Sequence, residues 1–156
     1  MSLFSSRKRK LLGTLLVALQ FSLLFWLATL ATPKALSGVI PLDALILTGV
    51  SFVLEAWTLI HNRPGNFNIR PTPKAWGNLI STGPYRLIRH PMYTSVLLVG
   101  AALALIANTV MGLELWFALA VILLKKSTLE ELWMREQHTD YGAYAQKVKR
   151  FVPWVI

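Results

Sequence analysis

Residues 11–31, LLGTLLVALQFSLLFWLATLA, run for 21 positions without a charge. A helix of that length reaches about 32 Å, enough to cross a hydrocarbon layer of about 30 Å once. The preceding RKRK gives this segment some likeness to a secretory signal. Its apolar stretch, however, is longer than the roughly 7–15 residues of a signal core, which predicts an uncleaved anchor. A second run, residues 39–60, carries Asp43 near one end and Glu55 inside. The third, residues 92–124, would make a helix of about 50 Å, too long for one crossing. Asn108, Thr109 and Gly112 near its middle predict a tight hairpin of two short helices, 92–107 and 110–124.

The expectation is therefore a single all-α integral membrane domain spanning residues 1–156, with four transmembrane helices. Its third and fourth helices form the short hairpin. A composition 54% hydrophobic and 15% charged fits that class. With no cysteine, disulfides, thiolate metal sites and a cysteine nucleophile are excluded. Three scattered histidines make a poor metal site, and none is expected.

The net charge of +9 raises the question of nucleic acid, and the placement of the charges answers it. With the N-terminus inside and four spans, the run at 7–10, the loop 61–91 and the tail 125–156 hold every basic residue except Lys34. That asymmetry is the positive-inside pattern of a membrane protein. It predicts cytoplasmic N- and C-termini and a bilayer rather than nucleic acid as the partner. The loop begins HNRPGNFNIRPTPKAWGN and reads as irregular. The tail carries Leu129, Leu132 and Trp133, then Tyr141, Tyr144, Val148 and Phe151, and predicts an amphipathic helix over 127–152. No internal repeat or low-complexity region is visible, and oligomeric state is not legible.

Polar chemistry concentrates in TGPYRLIRHPMY, residues 82–93, just before the third span. His90 precedes Pro91 and is biased towards extended backbone, so it should be the last loop residue, with Pro91 opening the helix. A helix N-terminus beside Arg89 suits an anionic group. Tyr85, Arg86 and Tyr93 are equally suited to anchoring at the headgroup zone. Ser127-x-x-Glu130 and Thr128-x-x-Glu131 match capping boxes, and Glu131 with Arg135 is spaced for an ion pair. Either glutamate could instead hold a ligand's ammonium group. Glu55, inside a span, pairs with a loop arginine or serves function.

Gly83-Pro84-Tyr85, Arg89-His90-Pro91-Met92-Tyr93, Glu130-Glu131 and Tyr141-x-x-Tyr144…Arg150-Phe151-Val152-Pro153 together resemble the isoprenylcysteine carboxyl methyltransferase family, a relative of the phospholipid methyltransferases. The likeness covers about residues 70–153. It implies a membrane methyltransferase that uses S-adenosylmethionine without a Rossmann domain, and the chain has no GxGxxG. By that resemblance Tyr85, His90, Pro91, Met92 and Tyr93 line the cofactor pocket, with Leu79 and Ile80 as backbone contacts. Glu130 or Glu131 takes the cofactor's cationic end, and Arg89 stands at the chemistry. Lys126, near where eukaryotic carboxyl methyltransferases carry an arginine, orients the substrate. The acceptor is a lipophilic carboxylate or amine, and a bacterial inner membrane suits the small size and basic loops. Two other readings are an NADPH-dependent membrane reductase of the sterol type and a non-catalytic membrane module.

Overall fold

The computed structural model describes residues 6–62 and 78–155; about half of the expected irregular loop, residues 63–77, lies outside them. The described residues are all-α. Helix α1 spans Ser6–Leu36, α2 Leu42–Asn62, α3 Pro91–Ala107, α4 Val110–Gln137 and α5 Tyr141–Lys147, with a single 3-10 turn at Gly83–Arg86.

The hairpin forms at the expected place. Asn108 ends α3 in the left-handed region (φ 49°), and the Thr109 hydroxyl accepts the Gly112 N–H at 3.1 Å to start α4. Asparagine tolerates that backbone better than most residues, and threonine is a good N-cap.

α4 then departs from expectation by continuing through residues 125–137 without a break. This stretch contains neither glycine nor proline, and its lysines, leucines, glutamates and arginine all favour helix. The two capping-box matches are therefore interior. Ser127 and Thr128 instead donate their hydroxyls back to the Leu124 carbonyl. The expected helix over 127–152 is thus the end of α4, a break at residues 138–140, and the separate short α5.

α1 and α4 pack antiparallel. Leu27 is buried with Leu119 and Leu123, Lys126 reaches Gln20, and Glu136 pairs with Arg9 at 2.7 Å. Gly100 lets α3 approach this seam, since a Cβ there would stand 2.8 Å from the Leu119 side chain. α2 packs on α3, where the Ser51 hydroxyl donates to the Ser95 carbonyl at 2.8 Å.

The distribution of polarity is inverted relative to a soluble domain. Phe21, Phe25 and Trp26 on α1, Phe52, Val53 and Ile60 on α2, and Phe117 on α4 all face outward. Gln20, Ser51, Thr58, Asn62, Ser95, Lys126 and Ser127 are buried. Apolar surface on this scale needs a partner, and lipid is the one that suits side chains all round a bundle whose polar groups turn inward. α1 and α2 are both long and apolar enough to cross a membrane, with mean hydropathies of 2.1 and 1.6 over their most apolar windows.

Candidate active site

The loop before α3 and the tail after α4 are stitched together by their backbones. Arg89 N–H donates to Lys149 O at 2.7 Å and His90 N–H to Arg150 O at 3.0 Å, and Ile88 pairs with Lys149 as a parallel bridge. Thr94 donates its hydroxyl to Phe151 O, and Tyr144 donates its own to Tyr85 O at 2.6 Å. His90 is the residue before the helix and Pro91 its first, as proline chemistry predicts.

Gly83 explains itself in this frame. Its φ is +59°, and a Cβ would fall 2.2 Å from the His61 ring at the end of α2. That ring is fixed edge-on to Trp57 and bonded to the Trp57 carbonyl. A left-handed non-glycine residue alone costs about 1–2 kcal/mol, and the clash adds to it. Gly83→Ala should therefore lower thermal stability in detergent by at least that amount and loosen the turn carrying Tyr85, seen as faster proteolysis there.

The two adjacent glutamates have divided roles. Glu131 is buried at 6% exposure and accepts hydrogen bonds from Arg89 Nε, His90 Nε2 and Arg150 Nε, each at 3.0 Å, with Arg150 Nη2 on its second oxygen at 3.0 Å. Arg89 also donates to the carbonyls of Ala145 and Val148. Each bond described for Arg89 thus goes to the protein itself. Arg135, the spacing partner of Glu131, lies over the Tyr141 ring.

Burial opposes the Glu131 charge, but hydrogen bonds from His90, Arg150 and Arg89 outweigh it and hold the carboxyl well below its usual range. A depressed carboxylate contributes stability that is complete above the unfolded pKa of about 4.3 and is lost as the pH falls towards the folded value. Tail protection in hydrogen exchange should accordingly stay flat from neutral pH to about pH 5 and fall only in stronger acid.

Glu130 is different. Its carboxylate accepts the Tyr93 hydroxyl at 2.7 Å and lies 3.9 Å from His90 Nδ1, while its side chain keeps 32% exposure. Tyr93 stacks parallel on His90, with centroids 5.3 Å apart, and Phe151 tilts against the other ring at 5.9 Å. Behind Tyr93 stands Lys126, 1% exposed, with its Nζ 4.8 Å from the Tyr93 ring centre and bonded to Gln20 Oε1. Burial pushes the Tyr85 hydroxyl well above its usual range, and the nearby charges of Glu130, Tyr144 and Glu55 push the same way. Glu55, on α2, accepts the Ser95 hydroxyl of α3 at 2.5 Å. Of the loop arginines proposed for it, Arg63 and Arg70 lie outside the described residues.

Met92 is half-buried and gives its carbonyl to Ser95. Leu79 and Ile80 lie half-buried in the coil leading to the turn, and their backbone groups make no hydrogen bond among the described residues. Three participants were missed from the sequence as site parts: Arg150, Thr94 and Gln20. Arg150 stood in the closing motif without a role, and Gln20 was the one large polar side chain in an uncharged run.

A sequence model of the phospholipid methyltransferase family matches residues 43–141, well over half the chain. The chain belongs to the phospholipid methyltransferase family. The match takes in α2 with Glu55, the turn at Tyr85, all of α3 and α4, and stops at Tyr141. Among phospholipid methyltransferases the coarse assignment is methyl transfer to lipid-type substrates, and the outward apolar faces of α1 and α2 agree with a membrane protein. No curated protein and no solved structure matches the chain.

Proposed function

We propose that this chain transfers a methyl group from S-adenosylmethionine to a lipophilic acceptor at the cytoplasmic face of a bacterial inner membrane, through a four-span fold with both termini inside. The observation that carries the reading is the division between the paired glutamates. Glu131 is consumed by three partners, whereas Glu130 is oriented by Tyr93 and remains partly open.

The residues present fit a cationic nucleoside. Glu130 offers a carboxylate to an ammonium group, and the flat His90–Tyr93 stack and Tyr85 offer aromatic surface. The backbone groups of Leu79 and Ile80, which make no hydrogen bond among the described residues, offer polar contacts. When bound, S-adenosylmethionine supplies an electrophilic methyl group on a sulfonium. The chain's part is chiefly to hold donor and acceptor aligned. Arg89 serves as a strut between α4 and the tail, and Lys126 supports the Tyr93 ring from beneath rather than reaching a substrate.

Of the two acceptor classes, the surroundings favour an amine. A carboxylate acceptor beside Tyr85 would meet the repulsion of Glu130 and Glu55, whose charges already act on that hydroxyl, with Lys126 engaged by Gln20. An amine must lose a proton before attack, and Glu55 is a carboxylate available to take it. The α1–α4 register supports this reading: it puts Glu130 and Glu131 near the N-terminal end of the uncharged run, where, with that end inside, a lipid would arrive sideways and a soluble donor from water. Around Glu130 the reductase reading lacks comparable support: a 2′-phosphate there would call for free arginines, and the two arginines of the clamp, Arg89 and Arg150, are both bound to Glu131.

Calorimetry on detergent-purified protein separates the readings. Binding of S-adenosylhomocysteine and none of NADPH is expected; the reverse would establish a reductase, and neither a non-catalytic module. Labelled methyl transfer into a lipid extract then identifies the acceptor.

A further inference from the structure

A second site lies on the outer side of the turn–tail junction. Arg86, Leu87, Lys147, Lys149, Pro153 and Trp154 line a cleft of about 110 Å³. Its three cations come from two separate chain segments, which the Ile88–Lys149 bridge and the Tyr144–Tyr85 hydrogen bond fix together. No Asp or Glu lines it, and none of the three cations has an acidic partner among the described residues. All three are exposed and so open to an anion from outside the protein.

The rest of the lining is apolar and exposed. Trp154 is 87% exposed and held in the left-handed region at φ 62°, where a hydrogen bond from Val155 N–H to Val152 O closes the turn. Leu87 is also exposed, as is Val155 beside Trp154. A soluble anion would satisfy the cations and leave this apolar rim in water. A lipid satisfies both, with its phosphate among the cations and its glycerol and acyl region along Trp154 and Leu87. The cleft also adjoins residues 88–90, immediately before α3, which is the membrane border on the four-span reading proposed above.

From these features we infer that the cleft between Arg86, Lys147, Lys149 and Trp154 is a docking site for one anionic phospholipid, bound through its phosphodiester. The site does not depend on methyl transfer. Occupancy would tie the Tyr85 turn to the tail, because Arg86 belongs to the turn and Lys147 ends α5.

The test uses the full chain in detergent micelles doped with phosphatidylglycerol or phosphatidylcholine, with retained lipid counted by native mass spectrometry. Wild type should keep one phosphatidylglycerol at collision energies that strip phosphatidylcholine. K147Q/K149Q and W154S should each lower that retention roughly tenfold, while the charge-matched K10Q/K125Q leaves it unchanged. Soluble glycerophosphoglycerol at millimolar concentration should not displace the lipid. Equal retention of the two lipids, equal loss in both double variants, or displacement by the soluble headgroup would each overturn the assignment. The lipid comparison and the headgroup competition need only wild type, so a variant that misfolds does not remove the test.

Discussion

Glu131→Leu should cost about 3–5 kcal/mol and release the tail from α3, because it leaves two arginines at the junction without their anion. Glu131 is the common acceptor for Arg89, His90 and Arg150, which come from the loop before α3, its N-cap and the tail. Coulomb attraction at such a site is strong only because water is largely excluded, and the same exclusion makes an unpaired guanidinium expensive. Glu131→Gln should fall short of the full loss, since the amide oxygen still accepts one bond. The contrast is Glu136→Gln, five residues further along α4. That residue pairs with Arg9 while 41% exposed, and its loss should be within about 1 kcal/mol. Thermal unfolding in detergent and limited proteolysis after Gln137 measure both. Equal effects of Glu131→Leu and Glu136→Gln would show that the clamp does not hold the junction.

The all-α architecture was largely legible from the sequence because it rests on one-dimensional signals. An uncharged run and Asn108-Thr109 between two apolar stretches are local patterns with local causes. The pairing of the two motif segments was hinted at for a different reason, since their residues fall in order on the two stretches that the backbone joins. The division of labour between Glu130 and Glu131 was not legible. Adjacent residues on a helix point about 100° apart, and which one meets the arginines depends on where the tail folds back. The capping boxes misled because S-x-x-E is a statement about a helix start, whereas residues 125–137 contain nothing to interrupt α4. The surroundings of Lys126 were not legible either, because its depth depends on the register of α4 against α1, which sets it opposite Gln20.

Glu130→Gln should weaken S-adenosylhomocysteine binding about 10- to 100-fold and leave thermal stability nearly unchanged. A hydrogen bond to a charged group contributes about 1.5–3 kcal/mol, and each 1.4 kcal/mol is a factor of ten in affinity. The side chain is 32% exposed and bonded to one tyrosine hydroxyl, so neutralising it strands no buried charge. Tyr93→Phe removes only that hydroxyl and keeps the ring on His90, so its effect should be the smaller, tenfold or less. The order of the two variants tests whether the carboxylate or its orientation dominates. Should Glu130→Gln instead lower stability and spare binding, Glu130 would belong to the clamp with Glu131, and the partly open carboxylate would lose its place as the ligand's partner.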